Sequence, residues 1–427
     1  MNQLVLTILI ITLVYFFIFT NRRLRTTASF LGAIIIVFIG IISFDTAVSY
    51  IDFTKLGIII GVMILTIIAK DSGIFQYLAI RMMRYSNGKA WTLFVLLSIL
   101  TGLLSSIFDE ITTLLFMTNI TLAITSILEI SSVPFLIAQI IFANIGGMAT
   151  YLGTPTNIMI GSSANFCFFD FIYHIAPIAI ILTIVNIYYF KIVFGKEMSN
   201  NKIPDEIINN FDKINEKECI VNPPLFRKTL IVTTAGIVFA LFSHILQIDL
   251  VVIILLAGFT LLFITPDKSI HSIYAQIDWA IIFFIIGLNV LAGTLEEHGI
   301  INILSRTLLS ITEGNTLSIN FLFLAFNTFF SSFLDNIPII NLAIPIAKHI
   351  IKEIPVITPV IWITMIIAAN IGANGTLIGT ASNLIVAEIA EKNNQRINFW
   401  YFFRVGFPLV IIHFIISFSY IYLRYLA

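Results

Sequence analysis

Two short polar blocks occur twice in this chain, and one constant offset relates the copies. Residues 108–111 (FDEI) return as residues 334–337 (LDNI). Residues 143–157 share Ala-Asn-Ile-Gly, a threonine, Gly-Thr and a final Asn with residues 369–383. The same offset relates Asp52 to Asp278. One offset over most of the chain indicates an internal duplication, and duplicated halves are typical of secondary transporters that bind their substrate near the middle of a membrane.

The composition predicts an all-α polytopic membrane protein that lies in a lipid bilayer. The chain is 59% hydrophobic and 11% charged, whereas a soluble domain is about 25% charged. Apolar runs long enough to cross a bilayer recur, and four of them are residues 4–20, 29–43, 56–69 and 229–243. Short alternating segments of a membrane β-barrel are absent from the sequence. The first run lacks a basic leader and a small-residue cleavage site, so it is predicted to be a membrane helix.

The positive charges predict that the second half is inserted the other way up. In the first half they follow the first and third apolar runs and fill the linker, as in Arg22, Arg23, Arg25, Arg81, Arg84 and Lys89. In the second half they occupy the other loops, as in Lys268, Lys392, Arg396 and Arg404. Because cytoplasmic loops are enriched in Lys and Arg, we expect a first transmembrane repeat at 1–194, a cytoplasmic linker at 195–228 and a second, inverted repeat at 229–427.

Each repeat is expected to contain three crossings, a re-entrant hairpin, a broken helix and a final helix. The hairpin arms are predicted at 91–108 and 112–128, and at 319–334 and 338–351 in the second repeat, with the duplicated acidic block at each tip. The next segment begins at Pro134 or Pro359 and breaks at its glycine-rich centre.

The glycine-rich blocks are candidate binding elements. Dense Gly and Pro unwind a membrane helix, and the freed carbonyls can bind a cation while half-helix N-termini face an anion. The alternative is that the glycines only permit close helix packing, which leaves the paired Asn and Thr unexplained. The candidate residues are Asn144, Gly153, Thr154, Thr156 and Asn157, and Asn370, Asn374, Gly379, Thr380, Ser382 and Asn383.

The hairpin tips hold carboxylates inside apolar sequence. Asp109, Glu110 and Asp335 have no Lys or Arg close to them in the sequence, and a carboxylate at the bilayer centre costs about 2.5 kcal/mol or more. Such a group can ligate Na⁺ or carry a proton, or it can be neutral for a structural reason. Thr112 and Asn336 are further ligand candidates, and a possible Na⁺ position would use Asp109, Asn157, Asp335 and Asn383.

Other functions are disfavoured by the sequence. The net charge is zero, so no nucleic-acid partner is predicted, and the two cysteines, Cys167 and Cys219, indicate neither a metal site nor a disulfide. No nucleophile–base pair, zinc-protease motif or P-loop is evident, so the chain is not expected to be an enzyme, to need a cofactor or to hydrolyse ATP by itself. Lys70-Asp71 and Glu296-Glu297 are expected to be ion-paired or interfacial.

At the duplicated blocks the chain resembles the ion-transporter superfamily. It is most similar to the branch of arsenite permeases, NhaD-type sodium/proton antiporters and the melanosomal P protein, often described by a citrate-transporter-like domain. The motifs that carry the resemblance are at residues 144–161, 334–338, 372–383 and 402–408, within a similarity over almost the whole chain. The P-protein pattern matches them best.

The resemblance implies an elevator-type transporter that forms a homodimer, with a possible ATPase subunit as in some arsenite permeases. Dicarboxylate-transporting relatives have Ser-Asn-Thr at both tips and bind sodium there. Aspartates at Asp109 and Asp335 shift the expected coupling toward protons or a carboxylate-bound cation. Many relatives have Asp-Asn at the first tip, whereas this chain has Asp109-Glu110, which adds a proton site or changes the cation stoichiometry.

Three functions stay open at this level. The first is a secondary active transporter of a small anion or arsenite coupled to H⁺ or Na⁺. The second is a Na⁺/H⁺ antiporter, and the third is a passive anion channel on the same scaffold. The plainest location is a bacterial inner membrane.

Overall fold

The computed structural model describes residues 3–21, 24–200, 220, 222–265 and 267–427. Regular structure in these ranges is helical, and nine of their helices are long and apolar enough to cross a membrane. The prediction of an all-α polytopic membrane protein is therefore confirmed. Arg22, Arg23 and most of the predicted linker lie outside the described residues.

Helices follow one another with short connections throughout both halves. The helices of the first half are α1 (Gln3–Thr20), α2 (Arg25–Phe38), α3 (Phe44–Ser49), α4 (Phe53–Asp71), α5 (Ile74–Tyr85), α6 (Ala90–Ile107), α7 (Glu110–Ile127), α8 (Val133–Met148), α9 (Pro155–Ala164), α10 (Phe168–His174) and α11 (Ala176–Asn200). The helices of the second half are α12 (Pro223–Leu241), α13 (Ser243–Leu246), α14 (Leu250–Ile264), α15 (Asp267–Gln276), α16 (Trp279–Glu297), α17 (Ile300–Ile311), α18 (Thr316–Phe333), α19 (Asn336–Glu353), α20 (Thr358–Gly372), α21 (Ala381–Lys392) and α22 (Phe399–Ile421).

The duplication seen in the sequence extends to the helix ends. The helices α4, α5, α6 and α7 begin and end at the positions that the repeat offset relates to the ends of α16, α17, α18 and α19. The cause is local, because the capping residues are duplicated as well. Asp52 and Asp278 each accept a backbone N–H from the first turn of the following helix, which satisfies a donor that would otherwise lack a partner.

Two short helices were not predicted from the sequence. The helices α5 and α17 follow Gly73 and Gly299, whose backbones are left-handed (φ 88° and 74°) and turn the chain sharply. Each helix is 12 residues long and apolar on one face, so it forms no continuous apolar run. The run predicted at 29–43 is also shorter than expected, because α2 ends at Phe38 and Gly40 adopts a positive φ.

Both predicted hairpins are present as helix pairs. The helices α6 and α7 are joined by Phe108 and Asp109, and α18 and α19 are joined by Leu334 and Asp335. We call these two connections the first tip and the second tip. Each tip aspartate is the N-cap of the following helix, which explains why the chain turns there.

The two halves interlock rather than pack as separate blocks. The helix α2 packs on α16, and the equivalent helix α14 packs on α4. Close approach depends on glycine: a Cβ atom on Gly287 would lie 2.6 Å from the backbone of Ser29, and one on Gly61 would lie 2.8 Å from a side-chain carbon of Ile254. This exchange brings the equivalent elements of both halves to one centre.

The broken helices are confirmed and lie at this centre. The helices α8 and α9 are separated by residues 149–154, and α20 and α21 by residues 373–380. The helix α21 packs on α7 and α9 packs on α19, so each half-helix contacts the hairpin of the other repeat. The four candidate elements are therefore assembled in one place.

Candidate functional site

Four asparagines join the two broken helices across the repeats. Asn370 Nδ2 donates to Asn157 Oδ1 at 2.9 Å, and Asn144 Nδ2 lies 3.4 Å from Asn383 Oδ1. The two contacts are equivalent under the repeat offset, and all four side chains are buried. We call this set the amide crossing. It brings together four residues that the sequence analysis selected.

The amide crossing also holds the unwound backbone. Asn157 Nδ2 donates to the carbonyl oxygens of Gly147 at 3.0 Å and Thr150 at 2.8 Å. Asn383 Nδ2 donates to the equivalent carbonyls of residues 373 and 376 at 2.8 Å and 3.1 Å. From the sequence, freed carbonyls of an unwound helix can bind a cation. Instead these carbonyls accept side-chain amides, since an unpaired buried carbonyl is costly.

Two buried oxygen atoms in the crossing have no hydrogen-bond donor among the described residues. They are Oδ1 of Asn144 and Oδ1 of Asn370, which are again equivalent. Asn144 Nδ2 also donates to Asn374 Oδ1 at 2.9 Å, and Asn374 Nδ2 has no hydrogen-bond acceptor among the described residues. A buried acceptor without a donor costs about 1–3 kcal/mol. A bound cation or a water molecule would supply the missing partner for either oxygen.

Hydroxyl groups cap the half-helices that begin at the crossing. Thr154 Oγ1 accepts the backbone N–H of Asn157 at 3.2 Å, and Thr380 Oγ1 accepts that of Asn383 at 3.3 Å. The next hydroxyls along the chain, Thr156 and Ser382, lie 3.1 Å and 2.5 Å from these caps. The N-termini of α9 and α21, which carry partial positive charge, therefore begin at the crossing with a hydroxyl pair each.

The repeated spacing of glycines in the two blocks reflects close backbone contact. A Cβ atom on Gly153 would lie 2.3 Å from the Gly147 carbonyl oxygen, and one on Gly379 would lie 2.6 Å from the Ala373 carbonyl oxygen. Gly153 and Gly379 therefore permit the tight loops, because a side chain at either position would clash with the backbone. These contacts lie within each broken segment, so they differ from the helix-to-helix packing that was the alternative reading of the glycines.

At the first tip, Asp109 faces a small polar cavity. Its carboxylate accepts both the N–H and the hydroxyl of Thr112 at 2.9 Å, and its own N–H donates to Thr66 Oγ1 at 3.2 Å. A cavity of about 30 Å³ lies beside it, also lined by Asp278 and Gln276. A cavity of this size has room for a water molecule. Asp278 was not among the predicted site residues, although the repeat offset relates it to Asp52.

Glu110 ties the first tip to both broken helices. Its N–H donates to the carbonyl oxygen of Gly153 at 3.2 Å, and its carboxylate accepts the hydroxyl of Ser382 from the other repeat. The side chain is 4% exposed. Asn336, at the equivalent position of the second tip, is also buried. The two tips thus differ in charge at the same place.

At the second tip, Asp335 has a basic partner, which corrects the sequence analysis. No Lys or Arg lies close to Asp335 in the sequence, but one lies close to it in space. The structure places Arg25, 310 residues away, in an ion pair with it. Arg25 was interpreted as a loop charge, but it is the first residue of α2, and its guanidinium lies 5.3 Å from the centre of the Phe284 ring. No local pattern could reveal this pair.

The ion pair expected between Lys70 and Asp71 is present at 3.5 Å. Lys70 Nζ also donates to Gln276 Oε1 at 2.5 Å, so this lysine is held beside the small cavity without lining it.

The family of this chain follows from its match to a known family model. A family model described as "Citrate transporter" matches residues 14–364 and, in a second match, residues 293–426. The chain belongs to the citrate transporter family. It is therefore an integral, multi-pass membrane transporter protein, as the apolar helices also indicate.

Relatives of this citrate transporter family member occur in mycobacteria and in humans. A "46 kDa membrane protein" of Mycobacterium leprae is 31% identical over the full length of both chains. An uncharacterized transporter of Mycobacterium tuberculosis is 30% identical over 96% of both chains. The human P protein is 26% identical over 91% of this chain and 56% of its own length. The resemblance to the P protein is thereby confirmed.

The fold is also found in a solved structure. Neisseria gonorrhoeae MtrF, described as one of a class of antimetabolite efflux pumps, superposes with a TM-score of 0.60. The match covers 92% of this chain and 84% of that one at 9% sequence identity, so it shows a common fold alone.

Proposed function

We propose that this protein is a secondary active transporter of a small anion or arsenite, coupled to H⁺ or Na⁺ at the first tip. The broken helices would supply the substrate-binding groups through the amide crossing and the N-termini of α9 and α21. The hairpins and broken helices would move together as the transport unit of an elevator mechanism.

One observation carries the coupling part of the proposal. Asp109 and Glu110 are buried, at 5% and 4% exposed, and no Lys or Arg of the described residues forms an ion pair with either. Asp335, the equivalent of Asp109, is neutralised by Arg25. A buried carboxylate without a counter-charge is strongly unfavourable, even where hydroxyl or N–H groups donate to it as they do here. The first tip therefore needs a proton or a small cation from solution.

The charge of the site favours a substrate of low charge. Among the described residues, the two tips and the amide crossing form an ion pair with one basic side chain, Arg25, whose charge is already balanced by Asp335. Helix N-termini and hydroxyls stabilise a single negative charge or a polar neutral molecule such as arsenous acid. A more highly charged anion such as citrate would have to enter with bound cations.

The elevator mechanism is supported by how the helices are grouped. The helix α2 packs on α16 and the helix α14 packs on α4, so that each pair joins the two halves, and the hairpins pack with the broken helices. A slide of the hairpins and broken helices, as one unit, past these two pairs would be the movement that alternating access requires.

The test uses proteoliposomes that contain a trapped pH-sensitive dye. Na⁺, Li⁺, arsenite, citrate and chloride are added outside one at a time. A pH change on addition of arsenite or an anion identifies the substrate and proton coupling, and we expect Asp109→Asn to abolish it. Asp45→Asn, a charge removal at an exposed position of α3, is the matched control. A pH response that survives in Asp109→Asn contradicts the assigned coupling role.

A Na⁺/H⁺ antiporter is the second candidate, and the cavity beside Asp109 favours it. Two carboxylates, from Asp109 and Asp278, line a space of about 30 Å³, which suits a dehydrated small cation. In that case Na⁺ or Li⁺ alone changes the luminal pH. A passive channel differs from both, since it never accumulates a labelled substrate against its gradient.

A further inference from the structure

The two tips are equivalent in backbone but not in their surroundings. Asp109 and Asp335 are related by the repeat offset and cap equivalent helices. The position equivalent to Arg25 is Val251, an apolar residue that packs against α4 at Gly57. The second tip therefore has a cation supplied by the protein, and the first tip has none among the described residues.

Arg25 is held where it can serve only the second tip. Its side chain is 16% exposed, and that of Asp335 is 10% exposed. The guanidinium lies over the face of Phe284, a cation–π arrangement that also stabilises positive charge. The helix α2 that carries Arg25 is fixed on α16 by the close contact between Gly287 and Ser29. The cation is therefore tethered to the interlocked helices and not to the hairpin.

We infer that the guanidinium of Arg25 is a built-in counter-cation that occupies the cation position of the second tip. In the state described here Asp335 then takes no exchangeable cation from solution, and the coupling cation binds at the first tip alone. This inference rests on the proposed function only in assigning the coupling cation to Asp109. The assignment of Arg25 to Asp335 stands on its own geometry.

A tethered cation has a consequence for the cycle. If the hairpin moves and α2 does not, the Arg25–Asp335 pair has to separate during transport. Asp335 then loses its partner in the other state, which raises the free energy of that state. Arg25 is thus a positioning residue that favours the state described here.

The experiment measures thermal unfolding of the purified protein in detergent. Wild type, Arg25→Ala, Arg25→Lys and Arg25→Ala/Asp335→Asn are each melted in Na⁺, Li⁺, methylguanidinium or choline chloride at equal ionic strength. We expect Arg25→Ala to melt several degrees lower than wild type in choline and to regain stability as Na⁺, Li⁺ or methylguanidinium is raised. The gain should grow with the logarithm of cation concentration, as for a bound ligand.

The other variants separate a binding role from a structural one. Arg25→Lys keeps a tethered cation, so it should show no cation dependence beyond that of wild type. The double variant has no carboxylate at the second tip, so its melting temperature should not respond to the added cations more than that of wild type does. Arg396→Ala, which removes an exposed ion pair with Glu391, is the matched control.

Two further variants separate this inference from the proposed function. Asp109→Asn should remove any cation dependence of wild type, whereas Asp335→Asn should retain it. If the melting temperature of Asp109→Asn still depends on cations as that of wild type does, the coupling role of the first tip is wrong. The additional cation dependence of Arg25→Ala would in that case still support the inference. If Asp335→Asn removes the cation dependence of the wild-type melting temperature, or if Arg25→Ala melts at the same temperature in all four salts, Arg25 is not a substitute for an exchangeable cation. Asp335→Asn provides this test even where Arg25→Ala is too unstable to purify.

Discussion

Replacing Gly146 by alanine should separate α8 from α6 at the centre of the protein. The added Cβ atom would lie 2.1 Å from the carbonyl oxygen of Gly102, where ordinary contact begins at 3.4 Å. The two helices would have to move apart until that shortfall is removed. The obstacle is backbone, so no side chain can rotate away. Overpacking of this kind costs about 1–3 kcal/mol, and we expect the upper end.

The same displacement should impair transport. Asn144 lies two residues before Gly146 and forms the amide crossing, and the hydroxyl of Ser105 on α6 donates to the Ala143 carbonyl at 2.9 Å. Moving α8 disturbs both contacts. We therefore expect Gly146→Ala to lower both the unfolding temperature in detergent and the uptake rate in proteoliposomes, with the protein still inserted in the membrane.

Gly195→Ala is the matched control. A Cβ atom there would lie 3.5 Å from the Lys191 side chain, an ordinary contact, and alanine is favoured over glycine in a helix by about 1 kcal/mol. The control should melt at or slightly above the wild-type temperature. The packing argument is refuted if Gly146→Ala melts within one degree or so of Gly195→Ala, because the backbone contact then costs nothing measurable.

Three further results are expected. Asn157→Ala should lower the unfolding temperature in the same assay, because it leaves three backbone carbonyls without the side-chain amide that donates to them. Each unpaired buried acceptor costs about 1–3 kcal/mol. An unchanged unfolding temperature would contradict the role of Asn157 in holding the unwound backbone. Glu110→Gln should lower the number of cations moved per substrate, measured as a shift in reversal potential, whereas Ser382→Ala should keep the number and weaken the affinity for the cation. Burial raises the pKa of the Cys167 thiol, and the thiolate is the form that reacts. In a Cys219→Ser background, a water-soluble maleimide should therefore label Cys167 slowly at neutral pH and faster as the pH rises. A labelling rate that does not depend on pH would contradict this expectation.

The helix ends were predictable because their signals are local. Asp52, Asp109 and their equivalents each accept a hydrogen bond from two or three residues further along the chain. Such capping needs only the short stretch of sequence that contains it. The hairpins were located from the duplicated acidic blocks and the broken helices from their dense Gly and Pro, which are local signals of the same kind.

The short amphipathic helices were missed for a related reason. The helices α5 and α17 do not have the long apolar run that marks a crossing, and their apolar face becomes meaningful only against a packed neighbour. For α17 that neighbour is α19. Their starting glycines, Gly73 and Gly299, are related by the repeat offset, but a repeated glycine does not determine which structure follows it.

The class of protein, the duplication, the helix ends and the identity of the central polar groups can all be read from the amino-acid sequence. Which of those groups meet depends on the folded arrangement: Arg25 with Asp335, Glu110 with Ser382, and the four asparagines with one another. The partners are 310 residues apart in the first pair and 272 residues apart in the second, and the asparagine pairs span 213 and 239 residues. Capping acts over a few residues of local sequence, whereas these pairs depend on how the interlocked halves pack. That Arg25 neutralises the second tip, whereas no ion pair among the described residues neutralises the first, therefore becomes visible only in the folded protein.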